Sequence, residues 1–137
     1  MTSQPSDRAV DLAFLALDHG IGSIDGGRDA LIPFAIVESA EGRALNRFMA
    51  GTLEDSVAQG RVNLLLTPGL VLAVLAWDGF LTIDGQRSDA IFGEVYERGG
   101  EQSFVFAQRY RRTGLLRKRV ERVGNVVLAG AGDPLFR

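Results

Sequence analysis

The apolar positions of this chain change period along its length, and those changes divide it into elements. Val10, Phe14 and Leu17 recur at helical spacing, Leu12 and Leu15 widen the stripe, and Gly20 stands where a helix-ending glycine belongs. A first helix over about residues 7–18 is predicted. Gly20 to Asp29 holds four glycines and two aspartates and reads as a loop. Leu31–Glu38 is rich in β-formers, and Arg43–Ala50 alternates Leu45 and Met49 against Ala44 and Phe48, so a hairpin turning at Ala40-Glu41-Gly42 follows.

Thr52-Leu53-Glu54-Asp55 resembles a capping box, in which a threonine oxygen accepts from an early helix N–H while the acids face the positive helix end. Leu53, Val57, Val62, Leu64 and Leu65 supply the apolar face of a second helix, which Pro68-Gly69 ends. Gly60 weakens it by about 1 kcal/mol relative to alanine. Beyond Gly69 the period falls to two: Val71, Ala73, Leu75 and Trp77 share one side of a long strand. Asp84-Gly85 and Gly99-Gly100 provide the positive backbone angles of tight turns, which predicts an antiparallel meander with strands over about 70–83, 88–97 and 102–111. Asp78-Gly79 reads as a bulge or bend within the first of these strands, with a real turn as the alternative, and Leu116–Leu128 as a further strand.

Residues 1–6 are polar and proline-containing and are expected to fray, leaving residues 7–137 as one domain. The expected class is α+β: two helices packed on one face of a mostly antiparallel sheet of about five to six strands, in the order αββαβββ with an extra strand in the tail. This order is similar to that of roadblock or profilin-like domains, although the tail is strand-like where a closing helix would stand. Phe34-Ala35-Ile36-Val37-Glu38, Asp78-Gly79-Phe80-Leu81-Thr82 and Ala107-Gln108-Arg109-Tyr110 resemble phrases of small bacterial proteins of unknown function. That likeness implies no activity.

Composition narrows the chemistry. The chain has 137 residues, 46% apolar and 23% charged, the mixture of an ordinary globular domain. It has no cysteine, which excludes disulfides, thiolate metal sites and a cysteine nucleophile and suits a reducing compartment. The start lacks the basic patch and apolar run of a signal peptide, and no stretch approaches the ~20 apolar residues of a membrane span, so a cytoplasmic protein with no membrane partner is expected. The net charge of -2 conceals an uneven distribution. Residues 1–108 carry seven arginines and 15 acids, whereas residues 109–122 carry seven basic groups and one acid.

That basic run holds the candidate binding residues Arg109, Arg111, Arg117, Lys118 and Arg119, with Arg112 and Arg122 beside them. On strands, Arg109 and Arg111 share a face, and Arg117, Arg119 and Glu121 form a matching row. Such a row fits phosphates, with Tyr110 and Phe106 near enough to stack on bases, but a pI near 5.4 favours pairing with the chain's own acids or with a second subunit.

The other candidates are weaker. His19, the only histidine, follows Asp18 and is expected to complement a helix C-terminus. The Gly20–Gly27 loop lacks the third glycine of a dinucleotide fingerprint, follows a helix instead of a strand, and has no phosphate-binding lysine. Asp78, Asp84, Asp89, Glu94 and Glu97 crowd the meander and are the residues a carboxylate-metal site would use. Solvated turns and a polar sheet face also account for them. Trp77, Phe80, Phe92, Phe104 and Phe106 are expected in the core. With no complete catalytic set, the expectation is a non-enzymatic binding or regulatory module without a cofactor, forming a homodimer or meeting another protein. A carboxylate-metal-dependent hydrolase and nucleic-acid binding through residues 109–122 are the alternatives.

Overall fold

The computed structural model describes residues 4–25, 31–114 and 119–135. Helix α1 spans Asp7–Ile24 and helix α2 Leu53–Leu65. The strands are β1 Phe34–Ser39, β2 Gly42–Arg47, β3 Leu70–Ile83, β4 Gln86–Glu97, β5 Ser103–Thr113 and β6 Arg119–Gly132. All six form one open antiparallel sheet in the order β2-β1-β3-β4-β5-β6. The α+β class, the element order and the strand-like tail match the pattern of the sequence.

The helices, however, lie on opposite faces of the sheet, not on one. Phe34 and Ile36 of β1 and Leu72, Val74 and Ala76 of β3 pack with Leu12, Ala16 and Leu17 of α1. The alternate residues Ala35, Val37, Ala73 and Leu75 pack with Val57 and Leu64 of α2. Successive side chains of a strand point to opposite sides, so these two sets define two faces. The buried runs Phe34–Val37 and Leu72–Ala76 explain the arrangement, because strands apolar on both sides need cover on both sides.

Helix α1 runs a full turn and more beyond its expected end. Ser6 caps its start, the side chain accepting from the Ala9 N–H at 3.1 Å. Gly20 does not terminate it. The glycine faces Ile91, whose Cγ2 would lie 2.9 Å from any added Cβ, and buried Ile21 and Ile24 prolong the apolar stripe. His19 therefore sits inside the helix, its ring edge-on to Phe34 at 5.0 Å, instead of capping a terminus.

Helix α2 starts as expected, Thr52 Oγ1 accepting from the Asp55 N–H at 3.0 Å. Its buried face is narrower than expected: Ser56, Val57, Gly60 and Leu64 are covered, while Leu53, Val62 and Leu65 are exposed. Gly60 is there for space, since a Cβ would stand 2.7 Å from Leu75 Cδ1 and 3.2 Å from the Phe48 ring.

No bulge occurs at Asp78-Gly79. The β3–β4 register runs unbroken from Leu72↔Glu97 to Ile83↔Gln86. Gly79 instead makes room for the Phe92 ring, whose Cε2 lies 3.0 Å from the position of a Cβ. Irregularities fall elsewhere, at Glu38/Ser39 and between β5 and β6, where Gly124 takes φ +69°. Among the described residues no helix is long and apolar enough to cross a membrane.

Candidate functional site

Strand β1 is much shorter than the strand it pairs with, and the difference creates a notch. Their ladder begins at Phe34↔Ala76, yet β3 continues to Ile83 with only β4 beside it. Leu31–Pro33 and the connection from β2 into α2 stand opposite this part of β3 and close a groove of about 490 Å³, the size of a small-molecule site. Hydrogen bonds hold the second wall: the Phe48 N–H donates to the Pro33 carbonyl at 2.9 Å, and the Ala50 N–H donates to Ser56 Oγ at 2.9 Å. Ser56 Oγ in turn donates to the Thr52 carbonyl at 3.0 Å, tying the wall to the cap of α2.

The lining is mainly apolar and unusually open to solvent. Ile32 is 40% exposed, Leu53 44%, Phe80 60% and Met49 78%. Phe80 is therefore not a core residue, contrary to the expectation from its period. It projects from β3 on the α1 side of the sheet, and the Arg87 guanidinium lies over its ring at 3.9 Å. Trp77 and Phe92 are half-buried and stack on each other at 5.8 Å, whereas Phe104 and Phe106 are in the core as expected.

Two carboxylates complete the groove, and among the described lining residues they are its only charged groups. Asp78 and Asp89 come from adjacent strands and project on the α1 side of the sheet, Asp89 facing Phe80 across the β3–β4 ladder. Tyr110 of β5 pairs with Asp89 in register, and its hydroxyl lies 2.9 Å from each oxygen of the Asp78 carboxylate. Burial raises the Asp78 carboxyl above its ordinary value, against the lowering effect of the Tyr110 hydrogen bond, and the nearby Asp89 charge raises it further. Burial first, then the Asp78 charge, pushes the Tyr110 phenol well above the usual tyrosine range, so it stays a donor. The Asp89 side chain makes no hydrogen bond or ion pair with any other described residue. The arrangement suits acceptance of positive charge or of N–H donors beside an apolar wall.

The remaining meander acids do not join this site. Glu94 lies on the α2 face, accepting from Arg61 at 3.0 Å and from the buried Ser103 hydroxyl at 2.5 Å. Asp84 occupies the β3–β4 turn at φ +51°, and Glu97 accepts from Ser6 at 3.0 Å. Among the described residues no group of three or more His, Asp or Glu side chains gathers to hold a metal ion.

The basic run also disperses. Arg109, Arg111 and Arg119 share a face by register, but Arg111 pairs with Glu121 at 3.1 Å and Arg119 with Asp25 at 3.6 Å. Arg122 reaches Asp18 of α1 at 2.8 Å, and Arg112 donates to the Ile24 carbonyl at 3.4 Å. Arg109 lies half-buried across Gly124, its Nε buried without a described partner. Arg117 and Lys118 lie outside the described residues.

The sequence points to Asp78 and Asp89 as meander acids, but it sets Tyr110 beside the basic run, Leu53 on the apolar face of α2 and Met49 in a strand, and it does not single out Ile32. Met49, Leu53 and Ile32 reach the carboxylates only because β1 starts at Phe34, opposite Ala76, and leaves the rest of β3 without that neighbour. Compared with known proteins, the chain matches no family model, no curated protein and no solved structure.

Proposed function

We propose that the chain is a non-enzymatic binding module whose groove beside β3 takes a small, largely apolar organic molecule. The observation that carries this reading is the cluster of Ile32, Met49, Leu53 and Phe80, four large apolar side chains left exposed around one concavity. A monomeric surface normally scatters such residues, and a gathered patch around a cleft marks a place where something binds. Burying an eight-carbon chain there removes apolar surface worth about 0.8 kcal/mol per methylene. Calorimetry with octan-1-ol tests the proposal. Saturable binding that disappears in Met49→Asp and Leu53→Asp, both exposed positions whose substitution spares the core, supports it. Absence of binding by the alcohol and by charged chains of equal length overturns it.

Self-association is a second reading, favoured by the edge strand β6. Residues 123–132 carry no charge, and Leu128 is 56% exposed beside an open row of backbone groups. Edge strands are usually blunted by charge or proline, and this half is not. A second copy pairing antiparallel with this edge extends the sheet. Light scattering that gives a monomer mass at high protein concentration rejects this reading, as does a dimer unaffected by Leu128→Lys.

A further inference from the structure

Apolar walls explain why a chain would enter the groove, but they say nothing of its head group. We infer, on the reading that the groove binds an apolar ligand, that it selects organic cations: an alkyl or aryl ammonium whose charged head sits between Asp78 and Asp89. The charge pattern is one-sided, since these two carboxylates are the only charged groups among the described lining residues. The neighbouring arginines each hold a contact of their own, one of them with the groove's own Phe80 ring. Arg87 lies over the Phe80 ring, Arg111 pairs with Glu121, and Arg112 donates to the Ile24 carbonyl. The Asp89 side chain has no described hydrogen-bond or ion-pair partner, and the Asp78 carboxylate accepts from the Tyr110 hydroxyl and the Gly79 N–H, so acceptor capacity is left over for a further N–H donor.

Two like charges held on adjacent strands repel each other in a partly desolvated place, and a cation between them removes that repulsion. An anion meets the opposite situation and is rejected, which is the usual way a site gains specificity beyond hydrophobic attraction. The Phe80 ring beside the carboxylates already attracts one cation, the Arg87 guanidinium over its face.

Three ligands of one chain length separate this inference from the reading it rests on. Octylammonium, octan-1-ol and octanoate are titrated calorimetrically into the full chain at neutral pH and moderate salt. Octylammonium is expected to bind at least about tenfold more tightly than octan-1-ol, with octanoate weakest, an order typical of charge-assisted hydrogen bonds over neutral ones. In Asp89→Asn, and separately in Asp78→Asn, the cation loses most of that advantage while octan-1-ol binds as before. Asp89→Asn removes no described hydrogen bond, so it keeps the test informative if Asp78→Asn fails to fold. Equal binding of all three ligands, or an ammonium preference that survives both variants, overturns the inference and leaves the apolar groove intact. If none of the three binds, the groove reading itself fails.

Discussion

The Tyr110 hydroxyl lies 2.9 Å from both carboxylate oxygens of Asp78, joining β5 to β3 across the intervening strand β4. Tyr110 is buried and Asp78 half-buried, so this contact anchors the carboxylate end of the groove to the side of the sheet that α1 covers. Tyr110→Phe keeps the ring and removes the donor. We expect a loss of about 1–2 kcal/mol in urea denaturation, within the range for hydrogen bonds to charged groups at partly buried sites. A double-mutant cycle with Asp78→Asn reads the coupling directly, and additive effects of the two substitutions contradict the contact.

Asp78 also gives stability a pH dependence of unusual sign. Its carboxyl is raised above the ordinary 3.8 because burial outweighs the Tyr110 hydrogen bond, so the folded chain holds this proton more tightly than the unfolded chain. The resulting stability is fully present below the ordinary value and is lost as pH rises through the folded value. Relative to Asp78→Asn, the wild type therefore loses stability as pH rises through the acid range and then levels off. Denaturation of both proteins across that range checks this, and a gap that widens in favour of the wild type rejects it.

On the other face, Glu94 links three elements. It is buried, accepts from Arg61 of α2 and Ser103 of β5, and lies beside Gly132 of β6, whose missing Cβ leaves room for its Oε2 at 2.9 Å. Glu94→Ala leaves the Ser103 hydroxyl buried without its acceptor and is expected to cost about 2–4 kcal/mol. Arg61→Ala removes a side chain that is 46% exposed and costs less. Equilibrium unfolding ranks the two, and the reverse order contradicts the assignment.

Two glycines of α1 should respond in opposite directions. Gly22 has nothing within 4 Å of an added Cβ, so Gly22→Ala gains about 0.5–1 kcal/mol from helix propensity. Gly20 meets Ile91 Cγ2 at 2.9 Å, and Ile91 is itself fully buried. Gly20→Ala gains the same propensity but overpacks the core, for a net loss of about 1–2 kcal/mol. Thermal melting of the pair distinguishes packing from propensity.

Periodicity and turn chemistry made most of the fold legible. The near-fourfold spacing from Val10 to Leu17, the alternation from Val71 to Trp77, the Thr52 cap and the Asp84-Gly85 turn are local signals, and each element they mark is present. Local signals failed where a distant residue decided the outcome. Gly20 has the identity of a helix stop, yet Ile91 of β4 packs against it and the helix continues. Gly79 has the identity of a bulge residue, yet its place is set by the Phe92 ring.

The candidate site was legible only as a set of residue types. Asp78 and Asp89 were visible as acids near a turn, but so were Asp84 and Glu94, and nothing local separates the pair that converges from the two that do not. Phe80 follows the alternation of its strand but stands where β1 no longer runs beside β3.

What the sequence by itself determined is the inventory of helices and strands, because spacing, caps and turn residues act over a few positions. The tertiary structure alone decided that α1 and α2 take opposite faces, that β1 ends short of β3, and that Asp78, Asp89 and Tyr110 meet at the resulting notch. Those outcomes depend on which strands become neighbours and how far each ladder extends, and such pairings join residues too far apart in the chain for any local pattern to record.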